Sequence, residues 1–335
     1  MVIIMKPKIA ITMGDPSGIG PEIIVKTINE GIINNYCLPI VIGDKNILAR
    51  EIDNLEIDIN LNLIESPDKA IPDKNLINII DLNLLSYNHP YGKVDEKSGE
   101  AAFKYVEKAV EYAVSTEVSA ICTAPLNKEA LQLAGYKYPG HTEILAELTG
   151  TENYSMMLSC PDFKVIHLTT HIGLLEAIEK INPERTYEVI KLAHDTLKNG
   201  RNSKPKIAVC GINPHAGESG LFGFKEEEKK LLPGIDRAKL EGINVEGPLA
   251  ADTLFYRAKR RDFDVVVACY HDQGHIPIKV LGLEEGVNIT VGLNSGVIRT
   301  SVDHGTAFDI AGKNQSDHKS METAIKEAVK LVRNY

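Results

Sequence analysis

Several absences narrow the function of this 335-residue chain before any motif is read. The five cysteines (Cys37, Cys122, Cys160, Cys210 and Cys269) are odd in number and form no C-x-x-C pair. That excludes a zinc knuckle or a disulfide frame and points to buried, reduced thiols in a cytoplasmic protein. No apolar run reaches the roughly 20 residues a membrane span needs, and the opening "MVIIMKPK" is too short for a signal peptide. Positive charge is in deficit, with 37 Lys and Arg against 46 Asp and Glu and a net charge of −9. A general nucleic-acid binder needs a basic face, so that class is set aside, although a local basic pocket for a small anion is not. Also missing are the Gly-Lys-Ser/Thr of a phosphate loop and the G-x-G-x-x-G of a dinucleotide fold.

What is present suffices for one large domain or two modest ones. Short apolar runs at 8–13, 39–44, 76–82, 119–124, 206–212 and 264–270 read as buried strands bounded by Gly, Pro, Asp and Asn. Between them lie amphipathic segments at 98–116 and 182–200. In the first, Ala102, Val106, Ala109, Val110 and Ala113 form an apolar stripe, with Lys104, Glu107, Lys108 and Glu111 on the other side. A further amphipathic segment at 320–335 closes the chain. This alternation predicts an α/β fold with largely parallel sheets, in which ligands collect at the carboxyl ends of the strands. The expected subdomains are 1–125 with 285–335, and 126–284.

The unusual polar residues fall at those ends. "TMGDPSGIGPE" (12–22) reads either as a tight strand-to-helix turn or as a backbone-lined wall of an active cleft. His141 and Thr142 open a helix after a Pro-Gly turn; free N–H groups there favour an anion, while Thr142 could equally be a plain cap. His171, His215 and His271 each follow a separate strand pattern. Parallel strands would deliver the three imidazoles to one edge, where they suit Zn, Mn, Co, Fe or Ni and leave coordination positions open. His275 stands four residues after His271, the helical spacing of a metal pair, but Gly274 and Pro277 argue against a helix there. Further on, Lys279, Asn288 and Arg299 supply the groups that hold a phosphate and a carboxylate. Asp303, His304, Gly305 and Thr306 read as the opening of another helix, and Asp252 as a turn residue or cap.

The motifs "MGDPSGIGPE", "TAPLNKEAL", "PGHTEILAELTG", "NPHAGESG", "GPLAADT", "YHDQGHIPIK" and "IRTSVDHGTAFDIAG" together resemble the 4-hydroxythreonine-4-phosphate dehydrogenase family, with its D-threonate and D-erythronate 4-phosphate paralogues, over about residues 8 to 315. The resemblance implies a two-domain fold like that of isocitrate and isopropylmalate dehydrogenases, with a central active-site cleft completed by the partner subunit of a homodimer. It implies that His171, His215 and His271 bind a divalent metal (zinc, manganese, cobalt, magnesium or nickel). By the same likeness His141, Thr142, Lys279, Asn288 and Arg299 bind substrate, and NAD, or alternatively NADP, lies along Ser301, Asp303, His304, Gly305 and Thr306. Three departures stand out. "GLNSGVIRTS" (292–301) is two residues longer than the family's usual stretch, "THIGL" lacks a proline after the histidine, and Ala250 replaces a proline in "GPLAAD".

The implied reaction oxidises the C3 hydroxyl of a phosphorylated four-carbon acid, and the 3-oxo acid then loses CO2. The metal would act as a Lewis acid in both steps, and Lys279, Asp252 and Asp272 are the candidate bases. "HDQGHIP" resembles the sugar-acid paralogues, and a protonated His275 would repel the ammonium of 4-hydroxythreonine phosphate but not a hydroxyl. The expectation is therefore oxidation of D-threonate or D-erythronate 4-phosphate to dihydroxyacetone phosphate. The alternatives are the 4-hydroxythreonine phosphate reaction of pyridoxal phosphate synthesis and, in another class, a phosphate acyltransferase or a non-catalytic phosphate binder.

Overall fold

The computed structural model describes residues 6–198, 202–282 and 286–332. Twelve strands are present among them: β1 (Lys8–Thr12), β2 (Leu38–Gly43), β3 (Asn60–Leu63), β4 (Leu76–Asp81), β5 (Ala120–Thr123), β6 (Ser155–Ser159), β7 (Lys164–His167), β8 (Ile207–Cys210), β9 (Val245–Leu249), β10 (Val265–Ala268), β11 (Val287–Val291) and β12 (Arg299–Val302). The chain divides into two compact units, Met1–Glu152 with Leu293–Arg333, and Asn153–Gly292.

In the first unit the strands run in the order β3-β4-β2-β1-β5-β12, all parallel. Sequences such as "KIAIT" and "LPIVIG" are apolar almost throughout because parallel strands are covered on both faces. The Glu96–Val114 helix buries the predicted stripe of Ala102, Val106, Ala109, Val110 and Ala113. It begins two residues earlier than the apolar spacing suggests, because the Asp95 carboxylate accepts the Ser98 N–H as its cap.

The boundary expected near residue 125 moves to 152. Segment 126–152 is bound to the first unit through the Glu96–Val114 helix, where a Cβ on Gly99 would stand 2.0 Å from the Ala130 carbonyl oxygen. Only a glycine lets the Lys128–Leu133 helix approach so closely. The return crossing lies at 292, and the expected 284/285 boundary falls outside the described residues.

The second unit runs β11-β6-β7-β10-β8-β9, with β6 antiparallel to both neighbours and β7, β10, β8 and β9 parallel. Besides β7, which is marked only by the "VIH" ahead of His171, five strands lie outside the six apolar runs. β3 alternates with asparagine, β6 carries two serines, β9 contains Gly247 and Pro248, β11 contains Asn288 and Thr290, and β12 holds Arg299 and Ser301.

Two local expectations are overturned. Residues 271–282 do form a helix, His271–Gly282, with Pro277 inside it. Pro277 forfeits one backbone bond, but Gln273 anchors the first turn: its amide oxygen accepts the Cys269 N–H at 2.7 Å, and its amide nitrogen donates to the Gly211 carbonyl at 2.8 Å. Gly274 is required by packing, since a Cβ there would lie 2.4 Å from Nε2 of His167. Conversely, Asp303–Thr306 opens no helix. The chain runs on as turns and coil to the Lys319–Val332 helix, and residues 333–335 of the predicted last helix lie outside the described residues. Among the described residues no helix is long and apolar enough to cross a membrane.

Candidate active site

In the second unit β7, β10 and β8 are adjacent and parallel, so the loops after them leave one edge of the sheet. His171 follows β7, His271 follows β10 and His215 follows β8. The first two meet, with ring centroids 5.7 Å apart, beside a cavity of about 430 Å³ lined by Thr170, His171, Tyr270, His271 and Asp272. An imidazole bound to an ion at 2.0–2.1 Å holds its ring centre about 3 Å from it, so this pair can flank one cation. Nδ1–H of His271 donates to the Asp272 carboxylate at 2.7 Å, which leaves Nε2 for a metal. Backing by a carboxylate is how a metal-binding histidine is commonly oriented.

His215 does not join them. Its ring lies 6.0 Å from Phe222, and no group of three metal-ligating side chains is assembled among the described residues. The cause is local. His215, Ala216, Gly217, Glu218 and Ser219 all have positive φ, a left-handed turn that side chains other than glycine disfavour. The loop is held from below by Glu227, whose Oε1 accepts the N–H groups of Ile212 and Asn213 at 3.0 and 2.7 Å. The donor chemistry therefore fits a divalent cation at two ligands and leaves the third on an exposed, strained turn.

Behind this pair the imidazoles continue in a row. His275 stacks on His271 with centroids 3.6 Å apart, one turn along the same helix, and His167 lies 4.8 Å from His275. His167 is fully buried; its Nδ1–H donates to the Met156 carbonyl at 3.3 Å and its Nε2 has no partner. Burial, reinforced by the neighbouring imidazoles, pushes His167 down to about 3. The Nδ1–H of His275 donates to the His271 carbonyl at 3.0 Å. An imidazole in the neutral state with Nδ1–H engaged carries an acceptor at its second nitrogen, and an acceptor takes a hydrogen bond from an ammonium as readily as from a hydroxyl. The charge-repulsion argument for substrate choice holds only for the doubly protonated ring.

Lys279 lies two turns after His271, so His271, His275 and Lys279 share one helix face. Asp272 is engaged by His271, and Asp252 is exposed in the first turn of the Ala251–Lys259 helix, accepting the Thr253 N–H. Asn288 on β11 is half-buried, with its amide nitrogen 3.2 Å from the Met156 sulfur and its amide oxygen buried without a partner.

A second cluster lies wholly in the first unit. Arg299 is only 2% exposed, and its guanidinium donates twice to the Thr123 hydroxyl, from Nε at 3.2 Å and from Nη2 at 2.7 Å. Burial lowers Arg299 to about 10. Burial, and secondarily the charge of Arg299, keeps His141 well below the usual histidine range. His141 is half-buried and its Nε2 is sealed without a partner. The His141–Leu148 helix starts at Gly140 with no side-chain cap, so Thr142 lies inside the first turn and does not cap it. A buried cation beside a helix N-terminus is a setting that favours an anion.

The longer stretch before Arg299 contains the Asn294–Gly296 turn, where the Asn294 amide donates to the Gly150 carbonyl at 2.6 Å, and Arg299 pairs in register with Ile121. After β12, Ser301 is buried, Asp303 and Thr306 are half-buried, and His304 and Gly305 are exposed. The Thr306 carbonyl accepts the Ile19 N–H at 3.0 Å, which ties this stretch to the glycine-rich loop after β1. Its open, irregular backbone suits a ligand held by main-chain contacts. Thr123, Gln273 and Glu227 were not foreseen from sequence. Thr123 and Gln273 lie inside the motifs "TAPLNKEAL" and "YHDQGHIPIK", and nothing in the residue types singles them out.

Comparison with known proteins decides the family. The profile described as pyridoxal phosphate biosynthetic protein PdxA matches residues 35–328. The chain belongs to this family. It is 54% identical over 325 residues to the D-threonate 4-phosphate dehydrogenase of Cupriavidus necator, covering 97% of each chain. A crystal structure described as a 4-hydroxythreonine-4-phosphate dehydrogenase, from Burkholderia phymatum, superposes with a TM-score of 0.89 at 51% identity, covering 97% of this chain and 98% of that one. The fold is that of the isocitrate and isopropylmalate dehydrogenase class. A β-decarboxylating dehydrogenase from Thermococcus kodakarensis shares it, with a TM-score of 0.50 at 14% identity over 97% of this chain and 83% of that one. As a member of the PdxA family the protein is an oxidoreductase, which sets aside the acyltransferase and binding-module readings.

Proposed function

We propose that this enzyme oxidises the C3 hydroxyl of D-threonate or D-erythronate 4-phosphate with NAD and a divalent cation, and that the 3-oxo acid loses CO2 to give dihydroxyacetone phosphate. The observation that carries the reading is the buried cluster of Arg299, Thr123 and His141 at a helix N-terminus, a setting that calls for a compact, highly charged anion. Arg299, His141 and Thr142 bind the phosphate end, and Asn288 offers its unpartnered amide oxygen to a substrate hydroxyl.

His171 and His271, joined by His215 once its loop moves, would hold the cation, with Asp272 fixing the tautomer of His271. When bound, a divalent cation supplies Lewis-acid stabilisation of negative charge on oxygen. NAD, when bound along Ser301 and Asp303–Thr306, accepts the hydride; NADP is the alternative. Lys279 is our choice of base. Asp272 is committed to His271 and Asp252 faces solvent, whereas helical side chains lean toward the N-terminus and bring the Lys279 amine back toward His275.

We further propose a homodimer of the reducing cytoplasm. Leu175, Phe224 and Val280 of the second unit are 79, 83 and 76% exposed, large apolar side chains that a second copy would cover, and all five cysteines are unpaired and buried. A second reading is oxidation of 4-hydroxythreonine 4-phosphate, the activity for which the similar Burkholderia phymatum structure is named. The test is NAD reduction by the metal-loaded protein on all three acids in parallel. We expect turnover of the D-threonate and D-erythronate phosphates; turnover of the amino acid alone would establish the second reading.

A further inference from the structure

Thr123 is the last residue of β5, at the carboxyl edge of the first unit's sheet, and it is fully buried. Across the strand pair it stands level with Ser301, whereas Arg299 stands level with Ile121. The Arg299 side chain therefore reaches toward the carboxyl edge to meet the Thr123 hydroxyl, and meets it with two nitrogens. A hydroxyl oxygen has two lone pairs, and both are taken. Nε and Nη2 form one edge of a rigid plane. Holding both on one oxygen fixes that plane and directs the other N–H groups away from Thr123. Threonine is suited to the task, because its branched Cβ restricts χ1 and so places the hydroxyl.

We propose that Thr123 is a positioning residue of this enzyme: it sets the plane of the Arg299 guanidinium so that its outer edge meets the oxygens of the substrate phosphate. The inference rests on the reading of Arg299 as a substrate-binding group. Without the hydroxyl two N–H groups of a buried guanidinium lose their acceptor, and the plane loses the anchor on that edge.

The same sheet supplies a control. Thr12 on β1 pairs in register with Thr123 and is equally buried, but its hydroxyl has no partner. A valine there makes the same change of shape and removes only an unsatisfied group, which is neutral or stabilising.

Steady-state kinetics on the full chain, with whichever acid phosphate the wild type turns over, would compare Thr123→Val, Thr123→Ser, Thr12→Val and Arg299→Ala. Loss of hydrogen bonds to a charged group predicts a KM for Thr123→Val raised about tenfold or more, with kcat within about threefold. Serine restores the wild-type KM, and Thr12→Val leaves it unchanged. The inference is overturned if Thr123→Val keeps the wild-type KM, or if Thr12→Val shifts KM as much. If Arg299→Ala raises KM while Thr123→Val does not, only the inference about Thr123 falls. If Arg299→Ala leaves KM unchanged, the reading of the anion site falls with it. Should the valine variant not fold, Thr123→Ala against Thr123→Ser carries the comparison: a raised KM for alanine alone is expected, and equal values overturn the proposal.

Discussion

Arg299 in the first unit and the histidines of the second reach their positions by different means. Arg299 is a strand residue locked by register against β5, almost wholly buried, with its guanidinium pinned by Thr123. His171 and His215 are exposed on loops, and the His271 side chain, at the start of a helix, is 38% exposed. Strand register removes freedom in advance, so the proposed anion site is preorganised and its geometry belongs to the fold. Loops beyond strand ends keep freedom, so the proposed cation site is assembled only as far as two imidazoles. Binding at the first site draws on the stability of the sheet. At the second, part of the ligand's binding energy goes into drawing in His215.

The largest expected effect tests that contrast directly. His271→Ala removes a proposed ligand from an exposed position. It should lower activity by roughly two orders of magnitude or more and abolish metal retention, with stability to denaturant almost unchanged. Arg299→Ala should lower activity too, but it should also cost about 2 kcal/mol of stability, because it opens a cavity and strands the Thr123 hydroxyl. Metal content, turnover and urea midpoints of the two variants provide the check. If His271→Ala destabilises the chain as much as Arg299→Ala, the division into a locked and a loose site is wrong.

A smaller effect sets one buried group of each unit against the other. Asp15 in the first unit is raised to about 7, chiefly by burial, with the Ser17 N–H opposing and Asp95 adding to the shift. Between 3.8 and about 7 the folded chain keeps a proton that the unfolded chain releases, so stability falls as pH rises through that window. His167 in the second unit is lowered from 6.5 to about 3, so the unfolded chain binds a proton that the folded chain refuses, and stability falls as pH drops. His141 leans the same way as His167. Where the windows overlap the slopes oppose each other, each up to about 1.4 kcal/mol per pH unit. Asp15→Asn should therefore make stability climb more steeply with pH between about 4.5 and 6.5, and His167→Gln should flatten it. Denaturant unfolding across that range decides; parallel curves for wild type and Asp15→Asn would remove Asp15 from the account.

The two sites also differed in how far the sequence revealed them. That His171, His215 and His271 follow strands was readable, because "VIHLTTHIG", "CGINPHAGESG" and "VACYHDQGH" each place a histidine beyond an apolar run, and their strands are neighbours in the sheet. That His215 turns away was not, since the run of left-handed residues at 215–219 includes four that carry a Cβ, and residue type gives no sign of it. The helix through Pro277 was misread because its anchors, Gln273 on Gly211 and Gly274 on His167, are tertiary. Arg299 was readable as an anion-binding residue type, and the family likeness strengthened that reading, but its setting was not readable. Its burial depends on β12 lying beside β5, a pairing between segments nearly two hundred residues apart that no local pattern announces.

The left-handed turn supplies the smallest and most discriminating prediction. Glu218 has φ +40, a conformation that costs a residue with a Cβ about 1–2 kcal/mol and glycine almost nothing. Glu218→Gly should relieve that cost, less the extra freedom glycine gains in the unfolded chain, for a net stabilisation of about 0.5–1 kcal/mol. If the strain is what holds His215 away from its partners, making the left-handed turn cheaper should also weaken metal retention, because drawing the loop in would now mean leaving a comfortable conformation. Stability up with metal affinity down would tie the backbone to the site. Stability up with affinity unchanged would mean that the cation binds His171 and His271 without calling on the turn at all.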